Sequence, residues 1–119
     1  MKILEKILKA LADKNRMRIL KLLEDKKMCV CELACVLGIT QPSVSRHLKK
    51  LKSAELINYE QDGFWTNYML NKPSNVYGIK LNKFIKESLN DDIIVKRDLI
   101  KSSKVKRENV CKTKNGSKC

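Results

Sequence analysis

No stretch of about 18 apolar residues occurs anywhere in the 119-residue sequence, so no helical membrane span is expected. The N-terminal segment Met1-Lys2-Ile3-Leu4-Glu5-Lys6 is charged and amphipathic. It lacks the uninterrupted apolar run and small-residue cleavage site of a signal peptide, and a cytoplasmic location is expected. There is no glycine-rich phosphate loop and no metalloprotease pattern. Histidine occurs once, at His47, which leaves no other evident base to activate a cysteine. An enzyme is therefore not expected. Acidic residues are scarce: 13 Asp and Glu stand against 26 Lys and Arg, a formal net charge of +13. That excess predicts attraction to a polyanion, with nucleic acid the default partner. No internal repeat is visible.

The length fits one domain with a modest core, which oligomerisation would help to stabilise. Five cysteines are present, an odd number, and three of them fall in the seven residues Cys29-Val30-Cys31-Glu32-Leu33-Ala34-Cys35. In a reducing compartment such clustering points to metal binding or redox chemistry rather than a disulfide scaffold.

Ile3, Leu4, Ile7, Leu8 and Leu11 mark one stripe of a first helix over residues 2–11. Asp13 is placed to cap a second, which Asp25-Lys26-Lys27 ends. Met28-Cys29-Val30 reads as extended, and a third helix runs from Cys31 or Glu32 to Leu37, with Gly38 as its stop. Thr40 caps a fourth helix, which tolerates Pro42 in its first turn and continues to about Lys52 or Ala54. Residues 56–60 and 64–70 read as two strands joined at Gln61-Asp62-Gly63. Val76, Ile79, Leu81, Phe84, Ile85 and Leu89 mark another helix. Residues 90–119 differ in kind: a short helix from Asp91 or Asp92 to about Ser102, then a basic, flexible tail carrying Cys111 and Cys119.

On the fourth helix Val44, Leu48 and Leu51 share one narrow face and belong in a core. Arg46 points nearly opposite, with Ser43, Lys49 and Lys50 on the same outer side. Gln41 and Ser45 lie near the helix start, where side chains reach base edges in a major groove. Arg pairs with guanine and Gln with adenine, whereas the lysines suit phosphates. His47 borders the core face and reads as a phosphate contact or packed ring rather than a metal ligand. The hairpin that follows would be a wing, but Glu60, Gln61 and Asp62 at its tip would be repelled by phosphate. Either the wing touches DNA weakly or the basic tail replaces it.

On the third helix Leu33, Val36 and Leu37 face the core, while Cys31, Ala34 and Cys35 point the other way. Cys31 and Cys35 stand one turn apart, so their thiols can meet. Cys31 falls where an N-cap is expected. The helix N-terminus and Lys26 and Lys27 favour thiolate. Thiolates without histidine suit a soft ion.

The segments Ala10-Leu11-Ala12-Asp13-Lys14-Asn15-Arg16-Met17-Arg18-Ile19-Leu20, Cys29-Val30-Cys31-Glu32-Leu33 and Gln41-Pro42-Ser43-Val44-Ser45-Arg46-His47-Leu48 resemble the ArsR/SmtB family of metal-sensing repressors, over residues 3–89. The resemblance implies a mainly α fold with a β-hairpin wing, a winged helix-turn-helix that dimerises over residues 1–89. It implies a homodimer on double-stranded operator DNA, released by a metal or metalloid. Leu4, Leu8, Leu81 and Phe84 are then candidate dimer contacts, with packing inside one chain as the alternative. The Cys-Val-Cys pair looks like the soft-metal box of the arsenic-responsive branch, where Cys-Val-Cys-Asp-Leu-Cys is usual. Here Ala34 stands at the third cysteine and Cys35 follows one residue later. The implied ligands are Cys29 and Cys31 with Cys35, or with Cys111 or Cys119 in its place. As(III) or Sb(III) is the expected inducer, and Cd, Pb or Zn the alternative. A thiol redox switch and a DNA-binding protein without a sensing role are the other readings. The family's Asp and His zinc site on the last core helix looks absent, because residues 76–89 contain neither residue.

Overall fold

The computed structural model describes residues 1–110 and is built of seven helices and one hairpin among those residues. They follow in the order α1 (Lys2–Leu11), α2 (Lys14–Asp25), α3 (Val30–Leu37), α4 (Gln41–Ser53), β1 (Ile57–Asp62), β2 (Trp65–Leu70), α5 (Val76–Glu87), α6 (Ile93–Lys104) and α7 (Arg107–Val110). Side-chain caps set most helix starts. Asp13 accepts from the Arg16 N–H, Thr40 from Ser43, Asn75 from Gly78, and Asp92 from both Ile94 and Val95. Each satisfies donors that a helix N-terminus otherwise leaves without partners. Gly38 ends α3 at φ 71°, a left-handed conformation that glycine takes without a Cβ clash.

The core gathers Ile7, Ile19, Leu22, Met28, Leu33, Val44, Leu48, Leu51 and Ile57. It joins α1 to α4 and the base of the hairpin. The α4 residues expected to be buried, Val44, Leu48 and Leu51, are buried. Burying one such side chain contributes roughly 1.5–3 kcal/mol.

Two buried cations stabilise helix ends. The Arg16 guanidinium donates to the carbonyls of Ala10 (2.7 Å) and Lys9 (3.0 Å) at the C-terminus of α1. The Lys21 ammonium donates to the Ile85 carbonyl (3.0 Å) and Asn90 Oδ1 (3.0 Å), at the C-terminus of α5. Positive charge there complements the helix dipole and the unpaired carbonyls.

The hairpin is antiparallel with Ile57 opposite Leu70 and Asp62 opposite Trp65. Its turn is therefore Gly63-Phe64, two residues beyond the expected start at Gln61. Gly63 takes φ 61° at the first turn position, which a two-residue hairpin demands. Phe64 stands fully exposed at the tip. The chain before α3 adds a short third rung: Met28 and Tyr68 exchange both backbone hydrogen bonds, at 3.1 and 2.8 Å.

The largest difference from expectation lies after residue 89. The expected helix is present as α6, but it is packed on α2 and α3, and α7 continues onto α3. Arg18 on α2 holds Asp98 on α6 through two 2.8 Å bonds. Lys26 donates to the Ser102 carbonyl at 3.0 Å, and the Ser102 hydroxyl meets Met28 Sδ at 3.8 Å. Residues 93–110 thus form part of the same packed body as residues 1–89. Residues 111–119, with Cys111 and Cys119, lie outside the described residues.

Candidate nucleic-acid interface and thiol site

The outer face of α4 is polar and partly pre-ordered. Thr40 Oγ1 donates to Ser43 Oγ at 3.0 Å, and Arg46 Nη2 donates to the same oxygen at 3.1 Å. Ser45, Arg46, Lys49 and Lys50 are exposed, and Gln41 and Ser43 half-buried, so the side chains expected to meet DNA share one accessible surface. Lys49 and Lys50 also flank a cleft of about 510 Å³ shared with Lys6, Lys9 and Arg16. His47 lies between this face and the core. Its Nδ1 is 3.3 Å from Arg16 Nη1 and 3.9 Å from Asp13 Oδ1. Burial pushes the imidazole below its ordinary pKa. Asp13 opposes that shift, and Arg16, Lys50 and Arg46 reinforce it. His47 therefore joins α4 to the α1–α2 junction as a neutral ring near pH 7. Asp13 itself sits low: burial would raise it, but the Arg16 N–H bond and the Arg16 and His47 charges outweigh that effect.

The thiol segment is arranged differently from expectation. The N-cap of α3 is Cys29, and Cys31 is the second helical residue. The Cys29 sulfur accepts from the Glu32 N–H while the Glu32 carboxylate accepts from the Cys29 N–H at 3.0 Å. This is a capping box with sulfur where a hydroxyl usually stands. Its signal was in the sequence, as Cys29-x-x-Glu32. Cys29 and Cys31 are both thiols, the first buried and the second half-exposed. Cys35 is disulfide-bonded, to neither of them, and only 1% exposed. Ala34 is buried as well. The face expected to point away from the core is covered because α6 and α7 lie across it. Among the described residues, no group of three or more His, Cys, Asp or Glu side chains could hold a metal ion.

Two residues that sequence reasoning passed over complete the surroundings of Cys29. Glu32 is buried, and besides Cys29 it meets Arg107 Nη2 at 3.3 Å. Arg107 in turn donates to Asn67 Oδ1 on β2 at 2.6 Å, and its guanidinium lies 5.0 Å from the Trp65 ring centre.

The sequence pattern of the family described as bacterial regulatory protein, arsR family, matches residues 13–59, which span α2 through the first half of β1. The arsenical resistance operon repressor of Staphylococcus aureus is 32% identical over 116 residues, 98% of this chain and 95% of that protein. The chain belongs to the arsR family. The arsenical resistance operon repressor of Bacillus subtilis (strain 168) is 44% identical over 68 residues, 56% of this chain and 65% of that protein. The match thus spans just under two thirds of that relative. Among solved structures, the homodimeric winged helix-turn-helix DNA-binding domain from Mycobacterium bovis superposes with a TM-score of 0.61 at 25% identity, over 71% of this chain and 73% of that one. The arsR family comprises DNA-binding transcriptional regulators, not enzymes. The expected winged helix-turn-helix is therefore the fold found.

The four candidate dimer residues divide. Leu8 is 48% exposed and Phe84 63%, on the neighbouring helices α1 and α5. Leu4 is half-buried and lines an apolar groove with Leu8. Leu81 packs partly against the intrachain core. Ile3, Val76 and Ile79 add exposed aliphatic surface to the same two helices. No helix among the described residues is long and apolar enough to cross a membrane.

Proposed function

We propose that this chain is a cytoplasmic, homodimeric transcriptional repressor that leaves its operator when trivalent arsenic or antimony engages Cys29 and Cys31. One observation carries the reading. The two thiols occupy the first turn of α3, and α3 shares a core with the reading helix through Leu33, Leu37, Val44 and Leu48. Engaging the Cys29 sulfur withdraws it from the Glu32 N–H and breaks the capping box. Losing a cap costs about 0.5–2 kcal/mol. Allosteric coupling typically needs about 1–3 kcal/mol, so a disturbance of this size suffices. Tilting α3 re-aims α4, and a dimer then no longer matches two half-sites one helical turn apart. The names of the Staphylococcus and Bacillus relatives, both arsenical resistance repressors, support the inducer class. The exposed apolar surface of α1 and α5 supports self-association there.

A pyramidal three-sulfur site needs a third donor. Cys35 can serve once a cellular dithiol has reduced its disulfide to two thiols by exchange, the dithiol itself leaving as a disulfide. Cys111 and Cys119 lie outside the described residues. Cadmium, lead or zinc would ask for a fourth ligand. The Cys35 disulfide also favours a second reading, a thiol-redox repressor of the same fold. The test is operator release followed by fluorescence anisotropy. Replacing Cys29 and Cys31 together with Ser should keep operator binding and abolish release by arsenite. Full release by that double variant would sink the site. Release of the wild type by diamide, with none by arsenite, would select the redox reading.

A further inference from the structure

The α3 cap and the wing are joined through one side chain from the C-terminal segment. Glu32 Oε1 receives both the Cys29 N–H at 3.0 Å and Arg107 Nη2 at 3.3 Å. The same nitrogen donates to Asn67 Oδ1 at 2.6 Å, and the guanidinium lies 5.0 Å from the Trp65 ring centre. Glu32 and Asn67 are both buried, so each loses more than a solvated group would if its partner left. Arg107 is held in place from its own side as well. Val110 is buried, and Val105 packs against the core. Beside it Met28 and Tyr68 pair backbone to backbone, so β2 and the chain entering α3 already move together on one side. Arg107 closes the other side of that contact.

We infer that Arg107 is a positioning residue that transmits the state of the Cys29 cap to the wing, so that inducer binding at α3 moves β2 as well as α4. The inference rests on the Cys29–Cys31 reading above. Its logic is that Glu32 has one carboxylate for two tasks. When Cys29 leaves the cap, the backbone N–H that Glu32 holds shifts, and the carboxylate shifts with it. Arg107 must then follow Glu32 or stay with Asn67 and Trp65. Following Glu32, as this inference requires, draws the guanidinium off the Trp65 ring and changes its environment. The sequence holds one tryptophan, so its emission reports this contact without a label.

The experiment compares the full-length wild type with Arg107→Gln, Arg107→Lys and Asn67→Ala. Arsenite binding is read from the sulfur-to-arsenic absorption band, Trp65 from its emission, and coupling from operator affinity with and without arsenite. In the wild type arsenite should shift the Trp65 emission. Arg107→Gln should bind arsenite and, without it, the operator within about threefold of wild type, lose the emission shift, and reduce the arsenite-induced loss of operator affinity by about tenfold. Asn67→Ala breaks the same link from the strand and should reduce coupling similarly. The two changes together should be no worse than one, because they remove one connection. Arg107→Lys keeps the charge without the planar fork and should restore part of the coupling. An arsenite band with coupling and emission shift unchanged in Arg107→Gln overturns this inference alone. So does an equal loss of operator affinity with and without arsenite, which marks a structural role. A wild type with no arsenite band overturns the Cys29–Cys31 reading, and this inference with it.

Discussion

The Arg18–Asp98 pair anchors α6 and provides a quantitative test of how the C-terminal helices are held. Arg18 Nε and Nη2 each reach an Asp98 oxygen at 2.8 Å, and Nη1 reaches Asn15 Oδ1 at 3.1 Å. The Asp98 side chain is 7% exposed and that of Arg18 17%. Replacing Arg18 with Met leaves a buried carboxylate without its cation. Breaking a buried pair typically costs about 3–5 kcal/mol, and the partial exposure of Arg18 points to the lower end, about 3 kcal/mol. Replacing both residues, Arg18→Met with Asp98→Leu, removes the desolvated charge along with its partner and should cost about 1 kcal/mol or less. Urea unfolding at fixed protomer concentration measures Arg18→Met, Asp98→Leu and the double variant, because association would otherwise shift the midpoints. A second readout is chemical. α6 covers the chain before Cys29 through Ser102, which touches Met28 and Lys26. Arg18→Met should therefore speed maleimide labelling of the buried Cys29 thiol, read on the Cys29-containing peptide by mass spectrometry in a Cys31→Ser background. Additive destabilisation in the double variant, with labelling unchanged, would refute the claim that this pair holds α6 over the thiol segment.

Three further outcomes follow from single positions. At Gly38 a Cβ would meet no atom within 4 Å, so Gly38→Ala carries only the backbone cost of φ 71°. That is about 1 kcal/mol by urea unfolding, and Gly38→Asn should cost less. The depressed pKa of His47 means the folded state resists protonation. Its contribution to stability is complete above the unfolded value of about 6.5 and is lost as pH falls toward the folded pKa. Urea midpoints should therefore fall between pH 7.5 and pH 5, and His47→Asn should flatten that slope. Arg46→Ala should weaken specific operator binding strongly while keeping most non-specific affinity in a salt-matched anisotropy assay. Equal loss on all sequences would mark Arg46 as a phosphate contact.

What the sequence made legible and what it did not divide along physical lines. Local signals survived: the stripe Val44, Leu48 and Leu51, the Asp13 and Thr40 caps and the Gly38 stop depend on residues within one or two turns. The hairpin was legible as an element, but its turn was not. Asp62-Gly63 is a strong turn pair, yet Asp62 remains in the ladder opposite Trp65 and Phe64 fills the second turn position. The buried cations Arg16 and Lys21 were invisible, because a charged residue in a basic chain reads as solvated until a helix C-terminus is brought to it. Lys21 meets a carbonyl 64 residues away.

The thiol site shows the same limit most clearly. A helical wheel ranks the faces of an isolated helix, and on that ranking Ala34 and Cys35 point outward. What buries them is an element held through Arg18 and Asp98, 80 residues apart, which no local pattern announces. The consequence reaches function. Two cysteines one turn apart on an open face, Cys31 and Cys35, become a half-exposed thiol and a buried, disulfide-bonded sulfur. Among the described residues the pair left as thiols is Cys29 and Cys31, and Cys29 is the helix cap itself. A ligand drawn to that pair must compete with a capping hydrogen bond. Binding the ligand and disturbing the helix are then one event, which is what a sensor on this helix requires.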